Sequence, residues 1–416
     1  MQNWLNRFRR DDGRSTVVPM LKKLSARLRK SDIDLRLFVP LLASTLLVQM
    51  ITAVVRITVS YRAVELKLSI VWLGFVAAAF AIVPILMAVR VGRFIDRGHD
   101  AHTAWIGSTI FALACGGFAV WSVPEGLLLW STVMGTGHLM LMASQQMLCV
   151  RAAGPRSMER VFGNYMVAGA VGQGLGPYVV GWMGGAATVP PTRLLFAVAF
   201  ALALLSLAVA LTLPPRRDRP AAISGAEVVP VARLLRTPGL AAVIVTGVIM
   251  VSASDVVLVY VPLLGAERHI DVHDIGLLLT VRAAASMVAR LFHARMVMAY
   301  GRWPLMTVTT FVCAASYLAL ALPMPLWAMY ATLAAMGFTF GTATTLSITI
   351  VVDMTAAAAR GTANSLRIMG NRMGQFTLPF VAGLVAAAAG LSALFVVIAG
   401  AIAAAAATMA WKRPRG

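Results

Sequence analysis

The amino-acid sequence predicts an all-α membrane protein in which twelve transmembrane helices form two six-helix halves. Of its 416 residues, 59% are hydrophobic and 12% are charged, and the mean hydropathy is +0.81. A soluble globular domain carries about twice that charged fraction, so this composition excludes a water-soluble surface. The length of the apolar runs and a repeat inside the chain complete the prediction.

Apolar runs of about 20 residues are long enough to cross a bilayer as helices. They do not alternate between polar and apolar residues, as the strands of a membrane β-barrel would. Twelve runs have this length: 37–59, 68–90, 102–121, 126–150, 162–184, 192–213, 239–263, 273–294, 303–322, 326–350, 364–387 and 391–411.

A repeat divides these helices into two groups of six. The segments Gly172–Gly181, GQGLGPYVVG, and Gly374–Gly383, GQFTLPFVAG, both fit Gly-Gln-x3-Pro-x3-Gly and lie 202 positions apart. Gly74 and Gly276, in helices 2 and 8, have the same separation. Two matches at one offset predict a parallel duplication, an arrangement found in secondary transporters.

The duplication implies five regions along the chain. The linker is Pro-rich and charged and contains no apolar run, so it marks the boundary between the halves. We expect a basic cytoplasmic tail, an N-terminal half, the linker, a C-terminal half and a short second tail at residues 1–36, 37–213, 214–238, 239–411 and 412–416.

The placement of basic residues predicts the orientation. The net charge is +20, but Lys and Arg concentrate in the two tails and in the gaps after helices 2, 4, 6, 8 and 10. Basic loops remain in the cytoplasm, so both termini are predicted to be cytoplasmic. The positive charge then indicates topology rather than binding of nucleic acid. The other gaps contain only Arg62, Lys67, Arg193 and Arg268.

The N-terminal tail has two interpretations. Met20–Arg36 is basic, and its Leu21, Leu24 and Leu28 follow helical spacing, which suits an amphipathic helix on the cytoplasmic membrane surface. Alternatively, translation begins at Met20 and the preceding residues are not part of the protein.

Several classes of function have no supporting motif. The chain lacks the Gly-x4-Gly-Lys-Ser/Thr loop that cradles ATP phosphates, and it has no nucleophile elbow and no His/Glu metal spacing. Its cysteines, Cys115, Cys149 and Cys313, lie in or at the ends of different helices and suit apolar packing. We therefore expect no enzymatic activity, no cofactor and no bound metal.

The loop between helices 2 and 3 carries a family resemblance. Its sequence GRFIDRG contains Gly92, Asp96 and Arg97 in the order Gly-x3-Asp-Arg, which resembles the loop that the major facilitator superfamily has at this place. The resemblance covers about residues 37–411 and implies a transporter with two rocking halves. It also implies that Asp96 bonds to neighbouring helices and holds the halves together while the cytoplasmic side is closed. A solvated loop charge is the alternative.

The repeated glycine-proline pattern also matches the family in part. Gly172, Gly176 and Pro177 resemble the helix-5 Gly-x3-Gly-Pro motif of the family's antiporters, and Gly374 and Pro379 repeat the pattern in helix 11. Glycine and proline permit close helix packing and bending in a membrane. We expect helix 5 to serve packing and helix 11 to contribute side chains to a central cavity.

Charged residues inside the predicted helices mark candidate substrate contacts, because an ionisable group within a bilayer usually faces a cavity or a partner. At 1.5 Å per residue, Arg282 lies about 13 Å into helix 8, and Arg372 lies about 12 Å into helix 11. Together they would form a cationic wall suited to a carboxylate or phosphate, with Asn371 and Gln375 beside Arg372. The alternative is that each arginine caps backbone carbonyls or pairs with a buried carboxylate.

Arg56 and Asp255 form a second candidate group, near the outer ends of helices 1 and 7. The repeat offset places the equivalent of Arg56 within one helical turn of Asp255, so the two could pair across the cavity when the outside is closed. An unpaired Asp255 could instead take up a proton, because a low dielectric disfavours the carboxylate, which makes it the first candidate for proton coupling. A snorkelling arginine and an acid in a wet vestibule are the simpler interpretation.

Helix 4 provides His138 and Gln145 as further cavity candidates. Histidine changes charge near neutral pH, so His138 is the second candidate for proton coupling, and a hydrogen bond between helices is the alternative. The hydroxyl groups at 339–349 in helix 10 are expected to bond back to their own helix.

These features predict a secondary active transporter of a bacterial inner membrane that works as a monomer in the lipid bilayer. We expect proton-coupled efflux of an organic anion or a drug-like compound with an acidic group. Two alternatives remain open: a proton-coupled importer of a carboxylate metabolite, and a non-transporting sensor or scaffold on a transporter fold.

Overall fold

The computed structural model describes residues 33–154, 157–215, 237, 239–355 and 360–411. This part of the chain is helical, and its helices coincide with the twelve predicted apolar runs. The first ten are α1 Leu35–Glu65, α2 Ile70–Asp96, α3 Asp100–Val120, α4 Pro124–Ala152, α5 Met158–Gly184, α6 Thr192–Leu211, α7 Leu240–Glu267, α8 Val272–Tyr300, α9 Arg302–Leu320 and α10 Leu326–Met354.

The last helical stretch, Arg360–Trp411, consists of two helices that meet at Gly390. Its φ of 84° and ψ of 169° are not helical, and such a positive φ favours glycine. We label residues 360–389 α11 and residues 391–411 α12. The predicted all-α fold of twelve helices is therefore confirmed for the described residues.

Ten stretches are long and apolar enough to cross a membrane, with the kinked final one counted once. The exception is α5, which is rich in glycine and carries Asn164 and Gln173. It packs against α1 and α8.

The backbone repeats the duplication seen in the sequence. Within the described residues, Lys67 after α1 and His269 after α7 are the two non-glycine residues with positive φ, at 52° and 55°. They are separated by the repeat offset of 202. The turn that ends the first helix of each half is therefore the same turn.

The glycines of the repeated pattern bring helices into close contact. A Cβ atom on Gly172 would collide with the Leu46 carbonyl of α1, and one on Gly374 would lie 2.7 Å from Val248 Cγ1 of α7. Leu46 and Val248 are themselves equivalent positions in the two halves. The α1–α5 and α7–α11 contacts are thus two copies of one packing arrangement, which only a residue without a side chain allows.

The final glycine of each pattern joins the two halves. A Cβ on Gly74 of α2 would lie 3.1 Å from Gly383 Cα of α11, and a Cβ on Gly276 of α8 would lie 2.6 Å from Gly181 Cα of α5. Adding the repeat offset of 202 to Gly74 and Gly181 gives Gly276 and Gly383, so the two contacts are equivalent. The halves therefore meet at two equivalent glycine contacts.

These contacts lie towards one end of the bundle. We name the end with the loops after α2, α4, α6, α8 and α10 the basic end, and the opposite end the far end. At the far end the backbone N–H groups of His273 and Val272 donate to the carbonyls of Gly185 and Ala187, at 3.0 and 2.9 Å. These bonds also cross between the halves, so the far end is closed.

Several predicted regions fall outside the described residues. Only residues 33–36 of the predicted N-terminal tail 1–36 are described, so most of Met20–Arg36 is not. The linker 214–238 is described only at 214, 215 and 237, and the C-terminal tail 412–416 is not described. The limits of these regions remain predictions.

Replacement of Gly176 by leucine should destabilise the protein. A Cβ there would lie 2.6 Å from Ala53 Cβ and 2.7 Å from the Met50 carbonyl of α1, and overpacking of this kind costs about 1–3 kcal/mol. We expect the midpoint of thermal unfolding in detergent to fall. Gly163→Leu in the same helix is the control, because nothing lies within 4 Å of a Cβ at that position. Equal midpoints for the two variants would contradict the packing role.

Candidate functional site

A cleft opens between the halves towards the basic end. Residues three, four or seven positions apart share a helix face, so the faces that touch near the far end can be followed along each helix. Towards the basic end these faces are exposed: Val89 of α2, Val167 of α5, Leu291 of α8 and Met369 of α11 have exposed fractions of 64%, 42%, 67% and 57%. The halves therefore diverge, and the cleft is the space between the basic-end parts of α2, α5, α8 and α11.

An ion pair joins the halves on the closed side of the cleft. Arg56 Nη1 of α1 lies 3.1 Å from Asp255 Oδ1 of α7, and the side chains are only 10% and 18% exposed. The second carboxylate oxygen of Asp255 is buried and has no hydrogen-bond partner. One of the two acceptor atoms of this acid is therefore unused.

This pair lies deeper than the sequence predicted. The predicted first span ended at residue 59, but α1 continues to Glu65, so Arg56 is about 13 Å from the end of its helix. Within this added length the hydroxyl groups of Thr58 and Ser60 are satisfied by the carbonyls of Val54 and Arg56. The prediction that Arg56 lies near the outer end of helix 1 was therefore wrong.

An aromatic contact connects the ion pair to helix α4. The guanidinium carbon of Arg56 lies 5.2 Å from the centre of the Phe80 ring, a cation–π distance. The Phe80 ring lies 5.3 Å from the His138 ring. His138 is buried, both its nitrogens lack a hydrogen-bond partner, and it lies within electrostatic reach of Arg372 and Arg56.

Arg282 lies inside the C-terminal half rather than on the cleft surface. It is 9% exposed, its Nη1 donates to Ser254 Oγ at 2.8 Å, and its Nε has no partner. Helix α10 passes close to it, because a Cβ on Gly337 would collide with the Arg282 backbone. The side chain points towards the residue next to Asp255 and lies within electrostatic reach of that carboxylate.

Arg372 reaches the same region from α11. It lies eleven positions before Gly383 and so shares the face that meets the other half. Its Nη1 donates to Gln375 Oε1 at 3.1 Å, and Asp255 acts on it electrostatically. The neighbouring Asn371 has a buried Oδ1 without a hydrogen-bond partner.

The arrangement gathers more positive than negative charge. Arg56, Arg282 and Arg372 all lie within reach of Asp255. Among the described residues, Asp255 is the only acid more than one turn from a helix end. Only the Arg56 guanidinium forms an ion pair with Asp255, whereas those of Arg282 and Arg372 donate to the neutral side chains of Ser254 and Gln375. An anion that enters the cleft would therefore meet an excess of cationic donors.

The remaining polar candidates have partners within the protein. Gln145 is fully buried and its Nε2 donates to Ser44 Oγ of α1 at 3.0 Å, so it links α4 to α1. Five threonine hydroxyl groups of α10 bond back to their own helix, as expected, at Thr339, Thr342, Thr344, Thr345 and Thr349. The Ser347 hydroxyl is the exception, because it is buried without a hydrogen-bond partner. Within the described chain, no group of three or more His, Cys, Asp or Glu residues is placed to hold a metal ion.

The sequence profile of the Major Facilitator Superfamily matches residues 41–269 and again residues 243–416. The two matches together span both halves. The chain belongs to the major facilitator superfamily. It is accordingly a multi-pass membrane protein with a transporter fold, and the resemblance inferred from the sequence is confirmed.

Solved structures of other superfamily transporters have the same fold. The nucleoside transporter NupG is 16% identical, with a TM-score of 0.76 over 91% of this chain and 100% of its own. A bacterial homologue of the human lysosomal transporter Spinster, in an inward-facing and occupied conformation, is 14% identical, with a TM-score of 0.75 over 90% of this chain and 96% of its own. The inward-open xylose transporter XylE from E. coli is 16% identical, with a TM-score of 0.71 over 91% and 95%. No curated protein matches the chain in sequence.

The superfamily loop motif lies at the basic end of the cleft. Asp96 and Arg97 are exposed, and a Cβ on Gly92 would meet nothing within 4 Å. Because the halves are separated here, the structure does not bring Asp96 against the opposite half. Its role in holding a closed cytoplasmic side stays a prediction about the opposite state of the transporter.

Arg290 is a cleft candidate that the sequence reasoning missed. It lies fourteen positions after Gly276 in α8, on the face that meets the other half. Its Nε is buried without a hydrogen-bond partner, and Arg282 acts on it electrostatically. The signal in the sequence was the separation of fourteen residues, or two heptads, between Gly276 and Arg290. The sequence reasoning counted Arg290 with the basic residues that border the loop after helix 8 and so did not treat it as a residue of the cleft.

Chemical labelling tests the direction in which this superfamily member opens. Val167 is exposed in the cleft and Val180, in the same helix, is 1% exposed near the glycine contact. We expect Val167→Cys to react with a membrane-impermeant maleimide in inside-out vesicles and Val180→Cys to remain unreactive. Background should be low because Cys115, Cys149 and Cys313 are all buried. Faster labelling of Val167→Cys from outside intact cells would contradict the predicted orientation.

Proposed function

We propose that this protein is a secondary active transporter that moves a small organic anion by alternating access and couples its movement to protons. The observation that supports this proposal is that three arginines lie within electrostatic reach of a single carboxylate, Asp255, which forms an ion pair with Arg56 alone. We place the protein in the inner membrane of a bacterial cell with both termini in the cytoplasm.

The charge excess favours an anionic substrate. An arginine at the centre of a membrane helix costs about 3 kcal/mol on insertion scales, and a buried charge without a counter-ion is strongly destabilising. A carboxylate or phosphate on the substrate would accept hydrogen bonds from the planar guanidinium of Arg372. The same group would come within electrostatic reach of Arg282 and Arg290.

The basic loops support the assignment of the cleft to the cytoplasmic side. With the basic end in the cytoplasm, the structure corresponds to an inward-facing state. The Arg56–Asp255 pair and the two glycine contacts then form the closed outer gate. An anion from the cytoplasm would reach Arg372 along the cleft without crossing that gate.

Asp255 is the group to which we assign proton coupling. Its protonation would neutralise the partner of Arg56 and so weaken the outer gate. It would also remove the negative charge that competes with a substrate anion for Arg372. His138 is the second candidate, because it is buried beside Phe80 with both nitrogens unpaired.

Two directions of transport are supported by different observations. The resemblance of Gly172, Gly176 and Pro177 to the helix-5 motif of antiporters favours export of the anion. The geometry of Asp255 favours import, because carboxylate and substrate would compete for the same arginines and a proton on Asp255 would therefore strengthen anion binding. The argument from Asp255 concerns the arginines that would bind the substrate, whereas the motif resemblance does not. We therefore favour import, in which proton and anion move in the same direction.

Anion-dependent proton flux tests the proposal. Purified protein in liposomes that contain a pH-sensitive dye is exposed to succinate, citrate, benzenesulfonate and naphthalenesulfonate, which cross lipid poorly. We expect at least one anion to move protons through the wild type. Asp255→Asn should carry the anion without protons, and Arg372→Gln should lose about 100-fold in anion transport, the cost of about 3 kcal/mol for a lost charged hydrogen bond.

The control is Arg193→Gln, which removes an exposed arginine at the start of α6 and should transport normally. Protons that follow the anion would indicate import, and opposed movement would indicate export. Unchanged transport by Arg372→Gln would contradict the anion site. Binding of anions without any flux would instead favour a sensor on a transporter fold.

A further inference from the structure

Apolar side chains are exposed on the cleft walls of all four helices. The exposed side chains on them include three methionines on α8 and α11 and one on α5, together with branched aliphatic residues. They are Val89, Met166, Val167, Leu291, Met298, Met369 and Met373. A soluble substrate such as a sugar would require hydrogen-bonding groups on these walls.

Helix geometry places these side chains opposite the other half rather than towards lipid. Met369 and Met373 lie on the side of α11 that contains Phe380 and Gly383, which contact Phe75 and Gly74 of α2. Eleven and seven residues separate Met369 from Phe380 and Met373 from Phe380, which is about three and two helical turns. The methionines therefore continue the face that joins the halves.

The same argument holds on α8. Thr280 donates to the Gly174 carbonyl of α5 at 3.1 Å, which fixes the face that meets the other half. Leu291 and Met298 lie eleven and eighteen residues further along, about three and five turns, and both are exposed. The two apolar walls of the C-terminal half therefore face the cleft together.

The apolar walls lead directly to the cationic groups. Met369 lies one helical turn before Arg372, and Leu291 is adjacent to Arg290. Arg372 is twelve residues from the start of α11, so the cleft offers about 18 Å of wall between the cation and the basic end. The site therefore has two parts: a charged part at Arg372, near the closed end of the cleft, and an apolar part along the walls between Arg372 and the basic end.

We infer that the substrate is an amphipathic monoanion, with one acidic group at Arg372 and an apolar body of several carbons along Met369 and Met373. This inference rests on the proposed anion transport and specifies its substrate class. Methionine suits such a body because its unbranched, polarisable side chain adapts to ligands of different shape. Small dicarboxylates, sugars and nucleosides do not match these walls.

A series of n-alkanesulfonates from methanesulfonate to hexanesulfonate tests the inference. These anions stay ionised at all working pH values, so proton binding does not alter the probe. We expect the affinity of the full-length protein in detergent, measured by thermal stabilisation, to increase about two- to fourfold per methylene group. The double variant Met369→Ser/Met373→Ser should bind methanesulfonate normally but lose most of the increase with chain length.

Three controls separate the possible outcomes. Met369→Leu/Met373→Leu keeps an apolar wall and should restore the chain-length dependence. Met158→Ser removes an exposed methionine that lies on a different face of α5 and should behave as wild type. The n-alkanols of equal length lack the charge and should show no dependence on Arg372, which identifies partition into detergent.

The results distinguish failure of the inference from failure of the proposed function. Affinity that is lost in Arg372→Gln but is equal for all chain lengths would overturn the amphipathic substrate and leave anion transport intact. A chain-length effect that survives in Met369→Ser/Met373→Ser would also overturn it. Equal weakening of every sulfonate by these substitutions would overturn it as well, because the methionines would then act only in gate closure. Binding that is indifferent to Arg372→Gln would remove the anion site and with it both proposals.

Discussion

The ion pair between Arg56 and Asp255 is the interaction on which the rest of this structure depends. Water does not reach the interior of a bilayer, so each charge there needs a partner from the protein or from a ligand. Asp255 pairs with Arg56, whereas Arg282 and Arg372 donate to the neutral side chains of Ser254 and Gln375. Because one carboxylate cannot neutralise three guanidinium groups, the outer gate and the anion site that we propose would depend on one charge balance.

The two halves share their helix packing because they are copies of one unit, but they differ in the charged residues of the candidate site. The glycine contacts Gly74–Gly383 and Gly276–Gly181 are the same contact made twice. The charged positions are not repeated: Phe80 and Ala170 occupy the places in the N-terminal half that Arg282 and Arg372 occupy in the C-terminal half. The C-terminal half therefore carries Arg282 and Arg372, of which only Arg372 lies on the face that meets the other half, and the N-terminal half carries Arg56, the Phe80 ring beside it and His138.

The sequence was sufficient for the helices and the duplication, because apolar length and a fixed offset determine them. It offered the pairing of Arg56 with Asp255 only as one of two interpretations. It was insufficient for the depth of Arg56, since α1 continues past its apolar run as far as Glu65. It also could not show that Arg282 turns into its own half towards Ser254 while Arg290 faces the cleft. Those outcomes depend on which neighbouring helix supplies an acceptor, and a single sequence does not specify such neighbours.

The variant Gln375→Glu tests the central claim most directly, because it would place a carboxylate where Gln375 Oε1 now lies 3.1 Å from Arg372 Nη1. If the central arginines lack a counter-charge that the substrate supplies, this internal acid should replace it. We predict that the variant unfolds at a higher temperature than the wild type without ligand and is no longer stabilised by hexanesulfonate. An unchanged or lower midpoint, with full stabilisation by hexanesulfonate, would contradict the account.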